Sequence, residues 1–193
     1  MPARKPTKPR LSQAGLAPTH AVTALDQFGA SRDVRVSGES PLTLKVDQQE
    51  VVTLMTLGTH PELLALGYLR NQRLIDSIDA ITSVEVDWQS ESVNVVTASE
   101  QGISNWQEKL GKRTITTGCG QGTVFSCTLD KLYDQKLTPV QIKQSLLYEL
   151  LIAITQYNEI YKQAGAVHGC ALCHDQQILS FVEDVGRHNA ADA

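Results

Sequence analysis

The chain has 193 residues, a net charge of −4, a pI near 5.7, 41 % hydrophobic residues and 20 % charged ones. This is enough for one ordinary globular core, or a small domain joined to a lobe, and the acidity excludes a dedicated nucleic-acid binder. No apolar run approaches membrane-spanning length and the basic N-terminus has no apolar signal core, so the 4 cysteines are expected as free thiols in a reducing cytoplasm.

Residues 1–20 (MPARKPTKPRLSQAGLAPTH) carry prolines and basic residues but no acid, and such a segment buries too little to order itself. The expected organisation is a disordered tail over 1–30, a β-rich lobe with a short helix over 31–112, and an α/β core over 113–193. In the lobe, Pro41–Val46 alternates with period two, Asp47–Glu50 turns, and Val51–Met55 returns as a hairpin partner. Pro61 suits a first helical position, Glu62 suits a first turn, and a short buried helix runs to Leu69. Ser83–Val86 and Val93–Thr97 form a second hairpin, with Trp88 over its open face. Residues 99–111 read as a connector or short helix.

Beyond residue 113 the chain runs extended into Thr116-Thr117-Gly118-Cys119-Gly120-Gln121-Gly122-Thr123. Glycines at 118, 120 and 122 clear side chains from around one sulfur and let backbone amides converge on it. Cys119 is therefore the candidate reactive centre, and Cys127 in the following apolar run reads as a buried strand cysteine. Thr138 and Pro139 open a long helix predicted over 139–163. Its stripe of Leu146, Leu147, Leu150, Leu151, Ile154, Tyr157 and Tyr161 reads as a core face, and Gly165 as its stop. A compact strand over Ala166–Cys173 is expected to be fully buried. A turn at 174–177 and a strand at Ile178–Val182 follow, ending in Glu183-Asp184-Val185-Gly186-Arg187-His188-Asn189, shortly before the chain stops at Ala193. That polar cluster reads either as a site at a sheet edge or as a strand-to-helix turn capped by Asp184 or Asn189.

Three cysteine chemistries compete. Cys170-Ala171-Leu172-Cys173-His174 matches the haem attachment spacing, but it lies in a strand with no export signal before it. A zinc site from His168, Cys170 and Cys173, with His174 as a further donor, is an alternative, although 168 and 170 share a strand face that 173 does not. Nucleophilic chemistry at Cys119 needs a thiolate, which a nearby imidazole or guanidinium from His168, Arg187 or His188 favours.

The block Glu183-Asp184-Val185-Gly186-Arg187-His188-Asn189-Ala190, preceded by His168–Cys173, resembles the signature of the FdhD family of formate dehydrogenase accessory sulfurtransferases. Pro41–Leu44, Glu62–Leu69 and the Gly118-Cys119-Gly120 loop resemble other family segments in the same order, over roughly residues 34 to 193. The resemblance implies an α/β (α+β overall) fold with a cytidine-deaminase-like core that lacks the deaminase zinc site. It implies a sulfur relay in which a cysteine desulfurase loads Cys119 as a persulfide. The sulfur then passes to the molybdenum bis(guanine dinucleotide) cofactor, a transient ligand, before insertion into formate dehydrogenase. No permanently bound cofactor, metal or membrane contact is implied, and a homodimer is compatible with it. His168, Asp184, Arg187 and His188 are the expected supporting residues, with Asp184 orienting Arg187 and His188.

Two departures stand out. Gly122 occupies the position of the family's second loop cysteine, so only Cys119 carries over. Family members also continue past the Glu183–Ala190 block, and their nucleotide-contact segment lies beyond the position of Ala193. This implies a shortened chain with an incomplete core, and no cofactor-binding residue carries over. A guanine-nucleotide or partner-binding module without sulfur relay is therefore a competing function.

Overall fold

The structure, a computed structural model, describes residues 8–98, the backbone of 113–115 and 123–125, and residues 136–193. The molecule is α+β. One sheet of five strands holds the core, in the order β1 (Arg10–Leu11), β6 (Ile81–Asp87), β7 (Ser92–Thr97), β4 (Ser40–Val46), β5 (Gln49–Thr56). The period-two segments build it as expected. β4 lies between antiparallel β5 and parallel β7, and its alternation sends Leu42, Leu44 and Val46 inward. Helix α1 (Pro61–Asn71) covers that face with Leu64, Ala65, Tyr68 and Leu69.

The N-terminal segment departs from the expected tail. β1 adds to the sheet edge parallel to β6, and β2 (Thr19–Leu25) and β3 (Ser31–Ser37) form a separate antiparallel ribbon. The arm between β1 and β2 finds tertiary partners where its composition offers no core. Ser12 Oγ and the Ala14 amide donate to the buried Glu62 carboxylate at 2.6 and 2.8 Å. The Trp88 indole N–H donates to the Ala14 carbonyl, and the Leu16 amide to the Gly58 carbonyl. Composition reports what a segment can bury by itself, whereas this arm is held by groups from elsewhere in the chain. Gly58 has φ +72°, and a Cβ there would lie 2.9 Å from the Trp88 ring, so glycine is required on both counts.

In the C-terminal half, β8 (Arg113–Ile115) pairs antiparallel with β9 (Thr123–Phe125). The predicted helix over 139–163 is two helices, α2 (Gln144–Ile154) and α3 (Glu159–Ala164), and residues 136–143 are not helical. The Thr138–Pro139 start signal is thus unused. The continuous apolar stripe hides the break because periodicity records spacing and not backbone continuity. The expected core face is also corrected: α2 buries none of its residues, and Leu151 and Ile152 are 60 % and 69 % exposed.

β10 (His168–His174) and β11 (Gln177–Asp184) form a two-stranded sheet. The expected full burial of the first strand fails, because among the described residues no further strand flanks it. The chain then turns at Val185–Gly186 into α4 (Arg187–Asp192), which packs on α1. That approach needs Gly67, where a Cβ would sit 1.5 Å from the Asp192 carbonyl oxygen. Ala193 follows directly. Its amide donates to the Asn189 carbonyl at 2.9 Å, and its side chain packs against the main core. No described helix is long and apolar enough to cross a membrane.

Candidate functional site

The end of β11 is the junction of the molecule. Asp184 is 4 % exposed, and its carboxylate accepts four hydrogen bonds. Thr56 Oγ1 donates at 2.5 Å and the Leu57 amide at 3.0 Å, both from the end of β5. The Gly186 amide donates at 2.9 Å and Asn189 Nδ2 at 3.0 Å, both from the turn into α4. Asn189 Nδ2 also reaches the Met55 carbonyl at 2.7 Å, while Thr56 Oγ1 accepts from the Gly58 amide. A buried carboxylate so supplied needs no counter-cation. It ties β11, β5 and α4 into one unit.

Glu183, 6 % exposed, turns its carboxylate to α3. It accepts from the Ile160 and Tyr161 amides, each at 2.9 Å. These are orphan amides of a helix whose own N-cap residue, Asn158, makes no capping bond with its side chain. Between α3, β11 and the entry to α1 lies a cleft of about 620 Å³. Its walls include Thr59, His60, Gln156, Glu159 and the tilted ring pair Tyr157–Phe181, whose centroids are 5.7 Å apart.

The predicted site residues are thus distributed unevenly. Asp184 is buried at the junction, and His168 is its register partner across β10–β11. Arg187 and His188 are exposed on the first turn of α4. Asp184 bonds to neither of their side chains; it holds the Gly186 amide and Asn189 on either side of them, so it orients them only through the turn they ride on. His188 does exert a favourable charge effect on the Asp192 carboxylate. Burial is the larger influence there and raises the Asp192 pKa above its usual value. Cys119 and Cys127 lie outside the described residues, although the strands flanking Cys119 place Ile115 opposite Thr123. The nucleotide-contact segment, expected beyond Ala193, likewise lies outside the described residues, and Cys170 and Cys173 are free and partly buried, and among the described residues no group of His, Cys, Asp and Glu is placed to hold a metal ion.

Sequence reasoning missed Thr56, Glu62 and the cleft residues His60, Tyr157 and Phe181 as site-shaping groups. Tyr157 and Phe181 stand in apolar patterns that read simply as core. Glu183 carried a signal, an acid at the end of an apolar strand, but nothing local indicates that its partners are amides of α3.

The profile of the FdhD/NarQ family matches residues 37–193. A sulfur carrier protein FdhD from Listeria monocytogenes serotype 4b is 29 % identical over 161 residues, covering 81 % of this chain and 60 % of the relative. One of the same name from Shouchella clausii is 27 % identical over 174 residues, covering 86 % and 64 %. A crystal structure assigned as a formate dehydrogenase accessory protein from Desulfotalea psychrophila superposes with a TM-score of 0.62 at 20 % identity, over 90 % of this chain and 64 % of that one. That last likeness is one of fold. The chain spans about three-fifths of the length of the curated relatives it matches.

Proposed function

Because this chain belongs to the FdhD/NarQ family, we propose that it is a sulfur carrier in which Cys119 holds the transferred sulfur. The family match across residues 37–193 carries the reading. In the first step the Cys119 thiolate attacks the terminal sulfur of a persulfide on a cysteine desulfurase. A new S–S bond forms at Cys119, the old one breaks, and the donor cysteine leaves as a thiolate. The substrate that receives the sulfur is the molybdenum bis(guanine dinucleotide) cofactor destined for formate dehydrogenase, and the setting is the cytoplasm.

Release of that sulfur as sulfide takes two electrons. A second thiol supplies them by attacking the Cys119 sulfur, which leaves Cys119 in a disulfide with it. Gly122 provides no neighbouring thiol, so this role falls to an external thiol or to Cys127. Arg187 and His188, exposed beside the buried junction, supply positive charge or proton transfer near the sulfur or the phosphates of the substrate, and His168 lines the same side. The family relationship and the exposure of these two groups support the assignment.

The test is mass spectrometry of the intact chain after incubation with a cysteine desulfurase and cysteine. The parent chain gains a one-sulfur increment that a thiol reductant removes, and Cys119→Ala does not. An equal increment on Cys119→Ala overturns the reading.

A further inference from the structure

The cleft between α3, β11 and the entry to α1 has a chemistry the sulfur-carrier reading does not use. Its described lining contains two carboxylates, Glu159 and Glu183, and no lysine or arginine. Two helix N-termini face it, and both already meet negative charge. Glu62 sits in the first turn of α1, while α3 has Glu159 in its own first turn and the Glu183 carboxylate on its amides. Neither helix end is therefore left to attract an anion, and a phosphate entering the cleft faces Glu159 with no cation to receive it. The apolar wall is the tilted Tyr157–Phe181 pair, with Tyr157 47 % exposed and its ring open to a visitor. Aromatic faces beside carboxylates, in a volume of about 620 Å³, suit a planar organic cation.

We propose that this cleft is a docking site for an arginine side chain of a partner polypeptide. The guanidinium stacks on Tyr157 and pairs with Glu159, while Gln156 and Thr59 offer neutral acceptors at the rim. The assignment stands on the cleft and does not depend on Cys119.

The test is calorimetric titration of the full chain with N-acetyl-arginine amide, its neutral isostere N-acetyl-citrulline amide, free L-arginine and inorganic phosphate. The blocked arginine is expected to bind more tightly than the other three, and more weakly as salt is raised. Free L-arginine carries its own carboxylate towards Glu159, so tighter binding of the free amino acid would assign the cleft to a metabolite and overturn the polypeptide partner. Glu159→Gln, at an exposed position that folding does not depend on, should weaken the blocked arginine by about threefold. Tyr157→Leu should weaken it by a similar factor. Equal binding of the arginine and citrulline derivatives overturns the proposal. So does preferential binding of phosphate, or an affinity unchanged in both variants.

Discussion

Glu183 and Asp184 are consecutive, both buried, and their carboxylates serve different elements. Glu183 caps α3 through the Ile160 and Tyr161 amides, whereas Asp184 binds the end of β5 and the turn into α4. Successive side chains on a strand point to opposite faces, so one dipeptide at the end of β11 can clamp both of its neighbours. The polar block that looks like a catalytic cluster in sequence is, in its first two residues, a structural joint.

Asp184→Ala should be among the most damaging single changes in the chain. It leaves the Leu57 and Gly186 amides, the Asn189 amide group and the Thr56 hydroxyl without their shared acceptor. Each buried donor left unpaired costs about 1–3 kcal/mol, although water entering the gap recovers part of it. Urea unfolding should show a loss of at least about 3 kcal/mol. A midpoint equal to that of the parent would show that the junction is not the joint described here.

Glu183→Ala should act locally on the first turn of α3. Hydrogen exchange at the Ile160 and Tyr161 amides should speed up markedly, while amides in β4 and β7 keep their protection. Glu183→Gln keeps one acceptor oxygen, so it should fall between the two. Unchanged exchange at both amides in the alanine variant would refute the cap.

Gly67→Ala tests the packing of α4 on α1. The new methyl would occupy the place of the Asp192 carbonyl oxygen, which is backbone and cannot rotate aside. Alanine is intrinsically the better helix former by about 1 kcal/mol, so stabilisation is expected if α4 were not there. With α4 seated, the variant should lose about 2 kcal/mol or more and shed protection in residues 187–192. A thermal midpoint above that of the parent would remove α4 from this seat.

Asp192 sets a pH dependence of known sign. Burial chiefly raises its pKa in the folded chain, against the Asn71 hydrogen bond at 2.6 Å and the charge of His188. The folded state therefore holds this proton more tightly than the unfolded state. The stability it brings is complete below the ordinary aspartate value of 3.8 and is lost as pH rises through the folded value. Asp192→Asn removes the penalty at neutral pH and can still accept from Asn71. Its melting midpoint should exceed that of the parent at pH about 7, with the gap closing under acid conditions. A gap of constant size across that range would exclude the carboxylate as its origin.

Several elements are legible in the residues alone. Period-two burial places β4 to β7, Pro61 and Glu62 mark the start of α1, and the Glu183–Ala190 block points to the family. The stretch at 139–163 misleads because its apolar spacing continues through residues 155–158, where the backbone leaves the helix. The arm before β2 misleads because its hydrogen-bond partners, Glu62 and the Val84 carbonyl, lie far along the chain.

The sequence by itself determined which segments could become strands and helices, because those follow from local spacing and backbone preference. It also determined family membership, because that rests on residue order. The tertiary structure alone decided what the buried acids do. The Thr56 hydroxyl that meets Asp184 is 128 residues away, and the Tyr161 amide that meets Glu183 is 22 away. A carboxylate reads the same in a sequence whether it awaits a substrate or a backbone amide. Only the fold, by placing the end of β5 and the first turn of α3 on either side of β11, assigned both acids to holding the structure together.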